Sequence, residues 1–159
     1  MDTASLHNTL ILVHAITATL AFLAGGLLIL SVKYFSSRWL FQVYLWSLIA
    51  MTLLLAGAIF VYWNEYSDME RVIFPGLLGL ALFMLFRAWG AGLVSATQPK
   101  NWKLGFVEHV GFTLISLFEG FIIVSGLNAG VPGWLVGVIA VLGLFAGRWI
   151  IGYAKRRTA

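Results

Sequence analysis

The 159-residue chain contains no cysteine. That excludes disulfides, thiolate nucleophiles, Cys-ligated zinc, iron–sulfur clusters and c-type haem attachment. Charge is also scarce: Asp, Glu, Lys and Arg make up 10% of the residues, against about a quarter in ordinary soluble domains. Only 3 prolines interrupt the chain. Asp2 is the sole charge before His7, so the start lacks the basic n-region of a secretory signal and is expected to be a retained first helix. No nucleophile elbow, zinc-protease helix, phosphate loop or dinucleotide fingerprint is present. The segment Gly76-Leu-Leu-Gly79 is not such a fingerprint, because it lies inside an apolar run without a strand–turn setting. Catalysis therefore has no positive sign in the sequence.

What is abundant is apolar surface, at 61% of residues. It falls into five long runs, over residues 8–32, 39–63, 72–94, 104–127 and 133–152. Each is about as long as the ~20 residues a helix needs to cross a ~30 Å hydrocarbon layer. The expected fold is all-α, one transmembrane domain over residues 1–159 forming a compact bundle of five transmembrane helices.

The bases sort with this division. If all five runs cross, one side of the membrane receives Lys33, Arg38, Lys100, Lys103, Lys155, Arg156 and Arg157, with Arg87 and Arg148 in the adjoining helix ends. The other receives Arg71 beside Asp2, Glu65, Asp68 and Glu70. The positive-inside rule then predicts an outside N-terminus and a cytoplasmic C-terminus, in a prokaryotic cytoplasmic (inner) membrane. The net charge of +4 is accordingly assigned to lipid headgroups rather than to nucleic acid.

Aromatic residues mark the same boundaries. Tyr62, Trp63, Tyr66 and Trp134 lie at the outer ends, while Tyr34, Trp39, Trp89, Trp102, Trp149 and Tyr153 lie at the inner ends. Trp46 sits deeper and needs a polar partner or the lipid carbonyl level. The acidic link over residues 64–71 lacks the length and glycine of a calcium loop and is expected to be solvated. Phe74-Pro75-Gly76 places the start of the third helix near Ile73. Glycines at 25, 26, 76, 79, 133, 137, 143 and 147 suggest close helix packing, with two small-x-x-x-small pairs in the fifth helix. That helix is the expected surface for a homo-oligomer or a membrane-complex partner, alongside the lipid bilayer itself.

Function would reside in the ionisable groups at membrane depth, namely His14, Arg87, Glu108, His109 and Glu119. By helical rise His14 and Glu119 lie at matching depths and are expected to pair. Arg87 is expected to pair with Glu108 or to snorkel to headgroups. Glu108 and Glu119 are eleven positions apart, nearly one helix face, and His109, Thr113, Ser116 and Gly120 form an adjoining stripe. His7 stands at the outer mouth, so a polar track from His7 to Arg87 is the sharpest reading. Three uses fit it: a proton or small-solute pathway, a quinone or haem site, or locks between helices. For a quinone, Phe22, Phe112 and Phe118 are candidate walls. His14 and His109 lie too far apart in depth to bracket one haem. The expectation is a non-enzymatic membrane protein without a resident metal or cofactor, either a small transport component or an accessory subunit of a membrane complex. A haem- or quinone-binding redox protein is the alternative.

Overall fold

The computed structural model describes residues 2–30 and 37–158, excepting the side chains at 127, 133, 136, 137, 140, 144, 150, 154, 155, 157 and 158. The described residues form five α-helices: α1 (Thr3–Leu30), α2 (Arg38–Tyr62), α3 (Glu70–Thr97), α4 (Trp102–Asn128) and α5 (Gly133–Thr158). A short 3₁₀ turn, Trp63–Glu65, follows α2. No strand occurs among them. Four of the helices, α1 to α4, are long and apolar enough to cross a membrane. The protein is thus a helical bundle of the membrane-spanning kind.

The helices outrun the apolar segments that announced them. α1 starts at Thr3 rather than residue 8, and α4 at Trp102 rather than residue 104. α5 continues to Thr158, beyond the expected end at residue 152. Hydropathy marks the part of a helix matched to hydrocarbon, whereas main-chain hydrogen bonding continues into flanking residues whatever their hydropathy. The expected end of the first helix, at 31–32, the base Lys33 and the aromatic Tyr34 lie outside the described residues.

Local chemistry sets several ends. The Asp2 carboxylate accepts the Ser5 N–H at 3.0 Å, and the Ser37 hydroxyl accepts the Leu40 N–H at 3.4 Å. α3 begins with a capping box. The Ser67 hydroxyl accepts the Glu70 N–H at 3.4 Å, while Glu70 Oε2 reaches back to the Ser67 N–H at 2.8 Å and hydroxyl at 2.7 Å. This cap moves the start of α3 upstream of the expected Ile73 and leaves Pro75 inside the helix. The acidic link, read as merely solvated, therefore also starts a helix. Between α4 and α5 the chain turns at Gly130, whose φ of +73° favours glycine.

The first four helices close a ring, α1 on α2, α2 on α3, α3 on α4 and α4 back on α1, and α5 packs outside it against α4. α1 and α2 share the most extensive interface. Buried positions repeat at three- and four-residue steps: Tyr44, Leu48, Met51, Leu55 and Ala58 on α2, and Ala81, Met84, Ala88 and Ala91 on α3. This is the spacing of supercoiled antiparallel packing.

Tyr44 occupies the middle of the ring, fully buried. Its hydroxyl meets Thr113 Oγ1 on α4, and Thr113 in turn donates to the Val110 carbonyl at 2.7 Å. Since that threonine proton is committed, the tyrosine is the donor. Gly25 on α1 makes the room: a Cβ there would stand 3.2 Å from the Tyr44 ring and 3.0 Å from Leu114. Gly26, one residue on, has nothing within 4 Å of that position. The expected close packing at Gly76 and Gly79 does not occur either, for both face open space.

Gly25→Val should lower stability by about 1–3 kcal/mol, because the ring and Leu114 must both yield. Gly26→Ala should be neutral or slightly stabilising. Thermal unfolding in one detergent compares the two, and equal losses would contradict the packing described.

Candidate functional site

Two histidines on α1 make the same contact one heptad apart. His7 Nδ1 lies 3.2 Å from the Ala58 carbonyl, and His14 Nδ1 lies 2.8 Å from the Met51 carbonyl. A carbonyl only accepts, so each imidazole donates from Nδ1 and, when neutral, carries its lone pair on Nε2. The α1–α2 register is antiparallel, and the histidines hold it through main-chain acceptors.

His7 is also stacked on Tyr62, with ring centroids 4.3 Å apart. Tyr66 packs edge-on against Tyr62 at 5.5 Å and tilts onto Phe74 at 4.8 Å. The expected outer mouth at His7 is thereby covered by an aromatic cluster that joins α1, α2 and the start of α3. Burial, then the nearby Glu70 carboxylate and Tyr62 phenol, push the Tyr66 phenol up from its usual range.

The second group lies between α3 and α4. Arg87 Nη2 donates to the Glu108 carbonyl at 3.2 Å and stands 4.0 Å from its carboxylate Oε1. The guanidinium lies over the Phe112 ring, 5.3 Å from its centroid. The expected Arg87–Glu108 pairing is present. One turn away, His109 lies against Gly90, where a Cβ would fall 2.6 Å from the imidazole. Arg87 Nε and His109 Nδ1 are buried without a hydrogen-bond partner.

The third position is Glu119, 4% exposed, at the α4–α5 interface. Its Oε1 lies against Gly143 of α5, 1.8 Å from where a Cβ would be, and its Oε2 has no hydrogen-bond partner. This contact belongs to a regular series. Ile115 of α4 lies 2.5 Å from a Cβ position at Gly147, and Ile151 of α5 lies 2.9 Å from one at Gly111. Three side chains thus enter three glycine notches at four-residue intervals, two from α4 and one from α5.

His14 and Glu119, paired on depth alone, are consequently not partners. Rise along a helix gives height and says nothing about azimuth; His14 turns toward α2 and Glu119 toward α5. The continuous polar track is divided for the same reason among the α1–α2, α3–α4 and α4–α5 interfaces. Glu108 and Glu119, placed on one face by periodicity, differ in surroundings, with the Glu108 side chain 52% exposed. Of the three suggested aromatic walls, Phe112 joins the Arg87 group, whereas Phe22 and Phe118 are exposed on the outer surface. Thr113 and Ser116 of the polar stripe are buried. The sequence reading overlooked Tyr44, although a phenol inside an apolar run, more than one turn from its nearer end, was a usable signal.

Among the described residues no three His, Asp or Glu side chains converge as a metal site would require. Compared with protein-family models, curated proteins and solved structures, the chain matches none.

Gly90→Ala should destabilise the protein by about 1–3 kcal/mol, since the imidazole would have to leave its notch. In a His109→Ala background the same change should cost little. A double-mutant cycle on thermal stability should therefore show coupling of about 0.5–3 kcal/mol, and additive effects would separate the two residues.

Proposed function

We propose that this protein is a non-enzymatic integral membrane protein acting as an accessory subunit of a membrane complex. In this reading α5 is a fifth span, the N-terminus is outside and the C-terminus is in the cytoplasm of a prokaryotic cytoplasmic (inner) membrane. The charge asymmetry of the loops supports the orientation, and the 26-residue length of α5 supports the fifth span.

The observation that carries the accessory role is the division of membrane-depth polar groups among separate helix pairs. His7 and His14 fix α1 to α2, Arg87 and Glu108 fix α3 to α4, and Glu119 lies beneath α5. A transport component, the sibling reading, calls for polar groups that line one path. Gly143 and Gly147 are already filled by residues of α4, so a partner would meet the outward face of α5. That face carries the exposed residues Trp134, Val138, Leu142, Phe145 and Trp149. It suits a neighbouring apolar helix as well as it suits lipid.

The haem- or quinone-binding alternative keeps one favourable observation. An Nδ1–H bonded to a carbonyl orients an imidazole with Nε2 free, which is the arrangement that supports metal-bound histidines. Absorption spectroscopy and mass spectrometry of extracted lipids on gently purified protein distinguish the readings. The accessory role predicts no haem band and no stoichiometric quinone, together with migration in native membranes above the size of the monomer. A monomer carrying chromophore, or one that conducts ions in proteoliposomes, would overturn it.

Topology has its own test. Cysteines placed singly at Lys33 and Lys100 should remain unlabelled when an impermeant thiol reagent is added outside intact cells. Strong labelling at either would reverse the orientation.

A further inference from the structure

Glu119 is the one acidic side chain among the described residues that is both buried and incompletely bonded. Its Oε2 has no partner, and its Oε1 touches the backbone of α5 at Gly143. The stretch of α5 facing it, residues 137–147, contains only Gly, Ala, Val, Leu, Ile and Phe. No residue in that stretch can supply a cation or a side-chain donor.

The charged and titratable groups of the surrounding helices are accounted for elsewhere. On α4 itself the nearest are His109 and Glu108, about 15 Å or more away along the axis. Arg87 of α3 is engaged with Glu108, and His14 of α1 with the Met51 carbonyl. Arg148 of α5 is exposed, and no ion pair joins it to Glu119. The polar groups further along α4 are hydroxyls: Ser116, then Thr113 with its Tyr44 partner, all buried.

An ionised carboxylate in such a place would be a buried charge with no counter-charge, whereas a carboxylic acid there is only a buried polar group. We propose that Glu119 is a proton-binding site: it holds one proton as a neutral acid beneath α5. Proton release would leave a naked charge against Gly143, so it requires α5 to move off α4 or water to enter. Proton occupancy and the seating of α5 are therefore linked. This site is independent of the accessory role, which needs no exchangeable proton.

Infrared spectroscopy of the purified protein in lipid at neutral pH tests this directly. Wild-type protein should show a carboxylic-acid carbonyl band of about one group per chain, shifting in deuterated water. The band should persist in Glu108→Gln and vanish in Glu119→Gln. Wild-type protein grown with glutamate carrying carbon-13 in the side-chain carboxyl gives a check free of any folding defect, because the band must then move. Absence of an acid band in wild-type protein would overturn the proposal. So would a band that survives Glu119→Gln or is unmoved by labelled glutamate.

Discussion

Close approach of helices at glycine notches is the constraint on which this structure depends. In lipid, burying an apolar side chain against another helix gains little over leaving it against acyl chains, so the hydrophobic effect does not choose which faces meet. Contact area does. Gly25 admits the Tyr44 ring, Gly90 admits His109, and Gly143 and Gly147 admit Glu119 and Ile115. Each notch takes particular side chains, from one neighbouring helix at Gly90, Gly143 and Gly147 and from two at Gly25, which fixes register and rotation at those contacts.

The polar groups act within this frame. Tyr44, bonded to Thr113, ties α2 to α4 across the centre of the ring. His7 and His14 bond to carbonyls of α2 that belong to a helical ladder, so their partners are main-chain atoms with no sequence signature. Arg87 spreads its guanidinium over the Glu108 carbonyl, the Glu108 carboxylate and the Phe112 ring. Such bonds are individually modest, about 0.5–1.5 kcal/mol for neutral pairs. They nonetheless join helix pairs whose register the notches already select, and add to that specificity.

The position of α5 separates two layers of the molecule. Four helices form the closed ring, and the fifth rests on α4 through alternating notches. Its outward side is broadly apolar, and its inward side holds down the most deeply buried acid among the described residues. A peripheral helix of this kind can meet a partner on one face while sealing a polar group with the other, so the proposed accessory role and the proposed proton site place no conflicting demands on α5.

The sequence by itself determined the helical class, the four long apolar spans α1 to α4, the pairing of Arg87 with Glu108 and the involvement of Gly143 and Gly147 in close packing. These are properties of length, composition and local spacing, which survive without knowledge of neighbours. It could not determine azimuth between helices. Spacing relates the faces of residues within one helix, such as Glu108 and Glu119. Because the outside of a membrane helix is as apolar as its inside, however, hydropathy does not say which face meets which neighbour. Depth was the only coordinate left for residues on different helices. Matching depth paired His14 with Glu119, and only tertiary structure sent them to different helices. The tertiary structure also decided which glycines matter: Gly25 is filled while Gly26, Gly76 and Gly79 are open. A glycine becomes a notch only when a particular side chain stands opposite it, and that depends on the neighbour's rotation rather than on the chain around the glycine.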